Sequence, residues 1–156
     1  MSLFSRLRRS SSTAARPLRS KTRRLSSEPL EERALLAADL TGYYLNVAED
    51  AAVAGSGVTV TWGVWNIGNS NAGDLTGGFY VNFYAISSNN VTSFRGSEFV
   101  GPLAANGGSF SKSTALSLPP SNDTFWTGTG SYKLAMYVDF YNNIGESNES
   151  NNYNSS

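Results

Sequence analysis

The chain has 156 residues, with 12 basic and 12 acidic side chains and neither cysteine nor histidine. Its length predicts one ordinary domain with a core of its own, and the absence of cysteine excludes disulfides and thiolate metal sites. Without histidine there is no Ser-His or Cys-His nucleophile pair and no imidazole ligand for zinc. The composition therefore argues against the commonest kinds of catalytic site.

Charge is distributed unevenly along the chain. Eight cations precede the first acid, Glu28, whereas from Asp39 onward three cations face nine acids, a net charge of −6. The sequence therefore divides into a basic arm, residues 1–38, and an acidic body, residues 39–156, which is rich in Gly, Asn, Ser and aromatic residues.

Most of the arm is predicted to be disordered, because residues 1–27 are dominated by Arg, Ser and Leu without a sustained amphipathic period. A short helix is expected over residues 28–37, since Ser27 offers an N-cap and Pro29 stands in the first turn. No continuous apolar segment in the arm is long enough for an ordinary signal peptide or a membrane span.

The end of the arm carries the block Glu-Pro-Leu-Glu-Glu-Arg-Ala-Leu-Leu at residues 28–36. This block resembles the LEPR-XLL segment, which precedes the first extracellular domain of large secreted or surface proteins of planctomycete bacteria. The resemblance implies that the arm is a sorting segment and that the protein is exported, to the cell surface or the medium. The residues that carry the resemblance are Glu28, Pro29, Leu30, Glu31, Arg33, Leu35 and Leu36.

Two other interpretations of the arm stay open. A basic tail can be solvated and without function, and clustered Lys and Arg can neutralise the phosphates of nucleic acid. The body argues against nucleic acid as a partner, because a domain with a net charge of −6 repels the polyanion that the arm attracts.

The body contains short segments in which apolar and polar residues alternate, the pattern of strands with one face in a core. Turn-forming Gly, Asn, Ser and Pro separate these segments. The pattern predicts an all-β, immunoglobulin-like, seven-stranded antiparallel sandwich with the last strand short or missing. Strands are expected at residues 39–47, 58–65, 79–86, 98–101, 109–118 and 130–139, with the last one beginning near Tyr153.

The alternation also predicts which side chains face the core. Trp62 is expected inside the core, and Tyr43 is grouped with the apolar side chains of the first strand. Gly42 suggests a bulge or an edge position. Residues 87–95 are expected to form a polar loop.

Three segments of the body carry recognisable motifs. They are the strand end Val138-Asp139 with the Glu-x-Asn-Glu-x-Asn-Asn run at 146–152, the Val-x-Asn-x-Gly turn at 64–68 and the segment Leu-Ala-Ala-Asn-Gly-Gly-Ser at 103–109, which is similar to a Leu-x-x-Gly link. Together they resemble the CARDB family, the cell-adhesion-related domain found in bacteria. The resemblance implies a non-enzymatic module that works outside the cell or on its surface in adhesion or as a spacer, with a surface protein or a polysaccharide as its partner.

Family members continue past Asn-Asn into a full closing strand, whereas only four residues follow Asn152 here. An incomplete gene or a fragment is the simpler explanation. The alternative is that the exposed sheet edge pairs with a strand of another chain.

Two sets of residues are candidate binding sites. Tyr80, Tyr84 and Tyr137 are expected to point outward from neighbouring strands, where they could stack on a sugar or anchor a protein. The alternative is that they only stabilise cross-strand pairs. A carbohydrate-binding module that uses this face is accordingly the second functional hypothesis.

The second set is acidic. Asp139, Glu146 and Glu149 could supply the oxygen ligands that calcium prefers, although no EF-hand pattern is present and a solvated turn is the simpler interpretation. No other cofactor is expected. Glu146 and Glu149 do not suggest a glycosidase, because two exposed carboxylates on one loop lack the facing geometry and the apolar pocket of an acid catalyst.

Overall fold

The computed structural model describes residues 36–48, 52–126 and 131–156. Within these ranges the chain forms seven strands and no helix. The strands are β1 (Leu40–Val47), β2 (Gly57–Asn66), β3 (Phe79–Ile86), β4 (Thr92–Val100), β5 (Gly108–Ser117), β6 (Lys133–Val138) and β7 (Tyr153–Ser155).

The strands pair in two antiparallel sheets. One sheet has the order β1-β2-β5, and the other has the order β4-β3-β6-β7. Because β2 pairs with β5 and β3 pairs with β6, each sheet joins strands from distant parts of the body. The structure confirms the predicted all-β sandwich of seven antiparallel strands, with a short last strand that pairs with β6 over three residues.

The inward faces of the two sheets enclose the core. Trp62 of β2 is fully buried, as predicted, and its ring centroid lies 5.3 Å from that of Phe83 in the other sheet. Its indole nitrogen donates to Thr114 Oγ1 at 3.0 Å, so the polar atom of this large side chain is satisfied inside the sandwich.

Polar contacts connect the sheets along both sides. On one side, Glu98 of β4 accepts hydrogen bonds from Lys112 Nζ at 2.8 Å and from Thr114 Oγ1 at 3.0 Å, and Lys112 lowers the pKa of this carboxyl below its usual value. On the other side, Asn154 Nδ2 of β7 donates to the Gly42 carbonyl of β1 at 2.7 Å. These contacts tie the edge strands of the two sheets together.

Two local predictions need correction. β4 begins at Thr92, so residues 92–95 are strand rather than loop; only Val100 of this edge strand is buried, and the strand therefore lacks an apolar alternation. Tyr43 is 63% exposed rather than turned inward. The register between β1 and β2 shifts between Gly42 and Tyr44, which confirms the bulge and explains why Tyr43 points away from the core.

The predicted helix lies mostly outside the described residues, as do the other predictions for residues 1–35. At its expected C-terminal end, Leu36 and Ala37 are not helical, and Ala38 forms a parallel bridge with Glu146. No helix in the described ranges is long and apolar enough to cross a membrane.

Candidate functional site

The outer surface of the four-stranded sheet carries the predicted tyrosines. Tyr84 and Tyr137 lie on the neighbouring strands β3 and β6, with ring centroids 5.6 Å apart and ring planes at 88°. Tyr80 joins them through two rings that follow β6. Its centroid is 6.1 Å from that of Tyr141, which lies 5.4 Å from Phe140, and Phe140 lies 5.8 Å from Tyr84.

Five further rings, which the sequence analysis did not assign to this surface, extend it into a continuous cluster. Neighbouring centroids in this cluster are 4.9 to 6.1 Å apart. We call this surface the aromatic face, and its members are Tyr80, Tyr84, Phe94, Phe99, Tyr137, Phe140, Tyr141 and Tyr153.

Most rings of the aromatic face are open to solvent. Seven of the eight are between 38% and 60% exposed, and Tyr84, which contacts three of the others, is half-buried. Rings that pack edge to face hold one another in place, so little side-chain entropy remains to be lost when a partner binds. Chemically, the face offers apolar ring surface and phenolic hydroxyls.

The acidic residues of the sequence analysis occupy the connection between β6 and β7. Asp139 is buried and has a φ of +46°. Its carboxylate accepts hydrogen bonds from the backbone amides of Asn143 at 3.1 Å and Ile144 at 2.7 Å. Burial raises the pKa of Asp139, and these two amides partly oppose the change. Asp139 therefore closes a turn at the end of β6.

Among the carboxylates of the described residues, Glu146 has the most strongly shifted pKa. It accepts hydrogen bonds from the Leu40 amide and from Asn152 Nδ2, the latter at 2.8 Å. Burial raises the pKa of Glu146 to about 7, and the nearby charges of Glu149 and Asp139 add to this effect.

Further contacts join the same loop to the residues before β1. Asn151 Nδ2 donates to Asp39 Oδ1 at 2.7 Å, and the Ser147 amide donates to the Ala38 carbonyl at 2.8 Å. We call this set of contacts, together with those of Glu146, the clasp. The Glu-x-Asn-Glu-x-Asn-Asn run thus fastens the start of the first strand to the approach to the last.

The carboxylates proposed for calcium have structural partners. Glu149 Oε1 accepts a hydrogen bond from the Glu146 amide at 3.1 Å, while the oxygens of Asp139 and Glu146 accept the bonds described above. Within the described residues, no group of three or more Asp, Glu, His or Cys side chains is arranged to hold a metal ion. The structure therefore gives the acidic loop a role in holding the fold together.

The second signature segment, the turn after β2, is also structural. Asn66 is fully buried; its Oδ1 accepts from the amides of Asp39 and Gly68, both at 3.1 Å, and its Nδ2 donates to three backbone carbonyls. A Cβ at Gly68 would lie 2.5 Å from the Ala37 carbonyl oxygen, so only glycine leaves room for this segment.

The fold and these contacts define the class of protein: a two-sheet antiparallel β-sandwich domain whose signature polar residues hold one end of the sandwich and whose sheets expose aromatic side chains. Within that class, the CARDB family model matches residues 37–156, and the chain belongs to the CARDB family. This is a family of non-enzymatic domains that is associated with cell-surface proteins. The comparison with curated protein sequences gave no match.

Several solved structures resemble the chain. The CARDB domain of the PF1109 protein of Pyrococcus furiosus, in complex with di-metal ions, is 20% identical with a TM-score of 0.50, over 77% of this chain and 90% of that chain. A solution structure of the same domain is 22% identical with a TM-score of 0.49, over 76% and 91%. Residues 272–376 of a Methanosarcina acetivorans protein, named as a cell surface protein, are 24% identical with a TM-score of 0.46, over 77% and 89%. At these identities the likeness concerns the fold.

Proposed function

We propose that this protein is an exported adhesion module and that the aromatic face is the surface through which it contacts a partner at the cell surface. The observation that carries the proposal is the continuity of this face, in which eight rings from four strands and one loop meet on one side of the sandwich. Soluble monomeric proteins rarely leave a large continuous apolar patch open to water, and such patches commonly mark interaction sites.

The chemistry of the rest of the molecule supports this assignment. Polar residues of the two signature segments described above make hydrogen bonds within the domain, through the clasp and through Asn66. The exposed rings of the aromatic face lie outside the core. Tyrosine and phenylalanine are side chains that commonly anchor protein interfaces. The binding function therefore falls to the sheet surface.

The sorting role of the arm is part of the same proposal. It rests on the resemblance of residues 28–36 to the LEPR-XLL segment, most of which lies outside the described residues. An exported adhesion module needs a sorting signal, and membership of a family associated with cell-surface proteins agrees with export.

Adhesion can be tested with microspheres coated with the full chain. The readouts are attachment to cells of the source organism and clustering of the microspheres with one another. We expect the triple substitution Phe99→Ser, Phe140→Ser and Tyr141→Ser to abolish both, because these rings are 51%, 46% and 60% exposed on the aromatic face.

The matched control removes three exposed apolar side chains elsewhere, with Val53→Ser, Leu75→Ser and Val91→Ser. This control should keep the attachment of the unchanged protein, and thermal unfolding of both triple variants checks that they fold. Equal attachment of the aromatic-face triple variant and the control would show that the aromatic face is not the contact surface.

A further inference from the structure

A second aromatic surface lies on the opposite sheet, and the proposed adhesion surface does not include it. Tyr43 and Tyr44 of β1 and Trp65 of β2 line a groove of about 300 Å³ on the outer side of the three-stranded sheet. The Tyr43 centroid lies 5.5 Å from that of Tyr44 and 5.2 Å from that of Trp65, with ring planes at 72° and 71°. We call this the aromatic groove.

A bulge of the backbone and a glycine build the groove. The bulge between Gly42 and Tyr44 brings two successive tyrosines to its wall, where regular alternation would send one of them inward. Gly63 has no side chain, so the Tyr44 ring can pack directly against the backbone of β2; a Cβ at this position would lie 2.6 Å from Tyr44 Cε1. Glycine weakens a strand and commonly marks a close approach. Both features position rings outside the core.

The groove is polar without being charged. No charged residue lines it, while Ser109 and Ser111 of β5 add hydroxyls to its edge. The indole nitrogens of Trp62 and Trp126 donate to Thr114 Oγ1 and to proline carbonyls, respectively. In contrast, Trp65 Nε1 has no acceptor within the described residues. The groove therefore offers aromatic surface beside uncharged hydrogen-bonding groups.

We propose that the aromatic groove binds an uncharged polysaccharide. A sugar ring has an apolar C–H face, which packs on an aromatic ring, and hydroxyls, which pair with an indole N–H and with serines. The charge of the body, residues 39–156, favours a neutral ligand, because its net charge of −6 repels acidic chains and the groove has no cation to hold them. Outward serines continue along β5 beyond the groove to Ser113, which would let a longer neutral chain lie on the sheet.

The test is electrophoresis of the full chain in native gels that contain laminarin, mannan, xylan or hydroxyethylcellulose, with alginate as the acidic comparison. We expect retardation in at least one neutral gel. Trp65→Ala and Tyr43→Ala should weaken binding by about tenfold or more, because each removes a ring that the sugar packs on. Gly63→Ala should also weaken it, because the new Cβ displaces the Tyr44 ring without removing it.

Tyr141→Ala on the aromatic face is the matched control and should be retarded like the unchanged protein. The two assays therefore distinguish the two sites. A variant that loses microsphere attachment but is still retarded in the gel has lost the function of the aromatic face and not that of the aromatic groove. Tyr43 is 63% exposed, so Tyr43→Ala decides the question if Trp65→Ala does not fold.

Three results would overturn the proposal: no retardation in any neutral gel, retardation in alginate alone, or equal retardation of Tyr43→Ala and the unchanged protein. Binding of a proline-rich peptide that depends on Trp65, without binding of any polysaccharide, would assign the groove to a peptide instead.

Discussion

Glu146 accepts a hydrogen bond from the backbone amide of Leu40, a residue 106 positions earlier in the chain. Leu40 is fully buried and opens β1, whereas Glu146 lies in the loop between β6 and β7. The carboxylate thus joins the first strand of one sheet to the last connection of the other. Because burial raises the pKa of Glu146 to about 7, this junction should respond to pH near neutrality.

The free energy of unfolding should fall as the pH rises from about 4.5 to about 7. Over this interval the folded protein keeps a proton on Glu146 that the unfolded chain has lost, since the ordinary pKa is 4.5 and the folded value is about 7. Urea unfolding at pH 5 and pH 7.5 should differ by on the order of 1 kcal/mol, because partial exposure reduces the effect.

Glu146→Gln is the control for this pH dependence, because it removes the titrating group and keeps the size of the side chain. The stability of this variant should change less between the two pH values. Asp139, whose pKa burial also raises, contributes in the same direction. If the free energy of unfolding of the variant changed with pH as much as that of the unchanged protein, another group would cause the pH dependence.

Asn66→Ala should lower the free energy of unfolding by about 3 kcal/mol or more. The substitution leaves two amides and three carbonyls without their buried amide partner. Asn69→Ala is the comparison, since Asn69 is exposed and its side chain accepts from the Ala37 amide at the surface. That variant should lose about 1 kcal/mol or less. Similar losses in both variants would contradict the central role of Asn66.

Gly68→Ala should destabilise the fold by roughly 1–3 kcal/mol, because its Cβ would lie 2.5 Å from three backbone atoms of residues 37–39. Gly101→Ala provides the control, since a Cβ there meets nothing within 4 Å and its φ is not in the left-handed region. We expect the control to stay within about 0.5 kcal/mol of the unchanged protein. The measurement is urea unfolding. An unchanged free energy of unfolding in Gly68→Ala would mean that residues 37–39 move away from the new Cβ without cost.

Deletion of residues 28–36 should leave the protein in the cytoplasm, whereas the unchanged chain should be found in the envelope or the medium. The measurement is the intact mass and amount of the protein in each fraction of its native cells. Deletion of residues 10–18 is the matched control, because it shortens the arm equally and keeps the block that resembles LEPR-XLL. The sorting role would be wrong if the two deletions had the same distribution.

Much of the strand pattern could be predicted from alternation alone. β3 has the bounds that the sequence predicts, 79–86, and the last strand begins at Tyr153 as expected. β3 places apolar side chains at every second position, which is a local signal. β4 was partly missed because an edge strand buries few side chains, and the contribution of Phe94 and Phe99 to the aromatic face was missed with it.

The candidate sites were predictable only in part. The outward tyrosines on β3 and β6 follow from period two and the neighbouring order of these strands. Phe140 and Tyr141 belong to a turn, where periodicity carries no information, so their place on the aromatic face was not apparent. The aromatic groove depends on the bulge near Tyr43, and Gly42 alone indicated only that a bulge or an edge could occur.

The sequence by itself determined the fold class, most of the strands and the family resemblance, because each depends on residues that are close together along the chain. The tertiary structure decided what the polar signature residues do and where the exposed rings meet. Glu146 finds its partner at Leu40 only after non-consecutive strands have paired, and the same pairing brings Tyr84 beside Tyr137. Contacts over such separations depend on register and packing, which local periodicity does not specify.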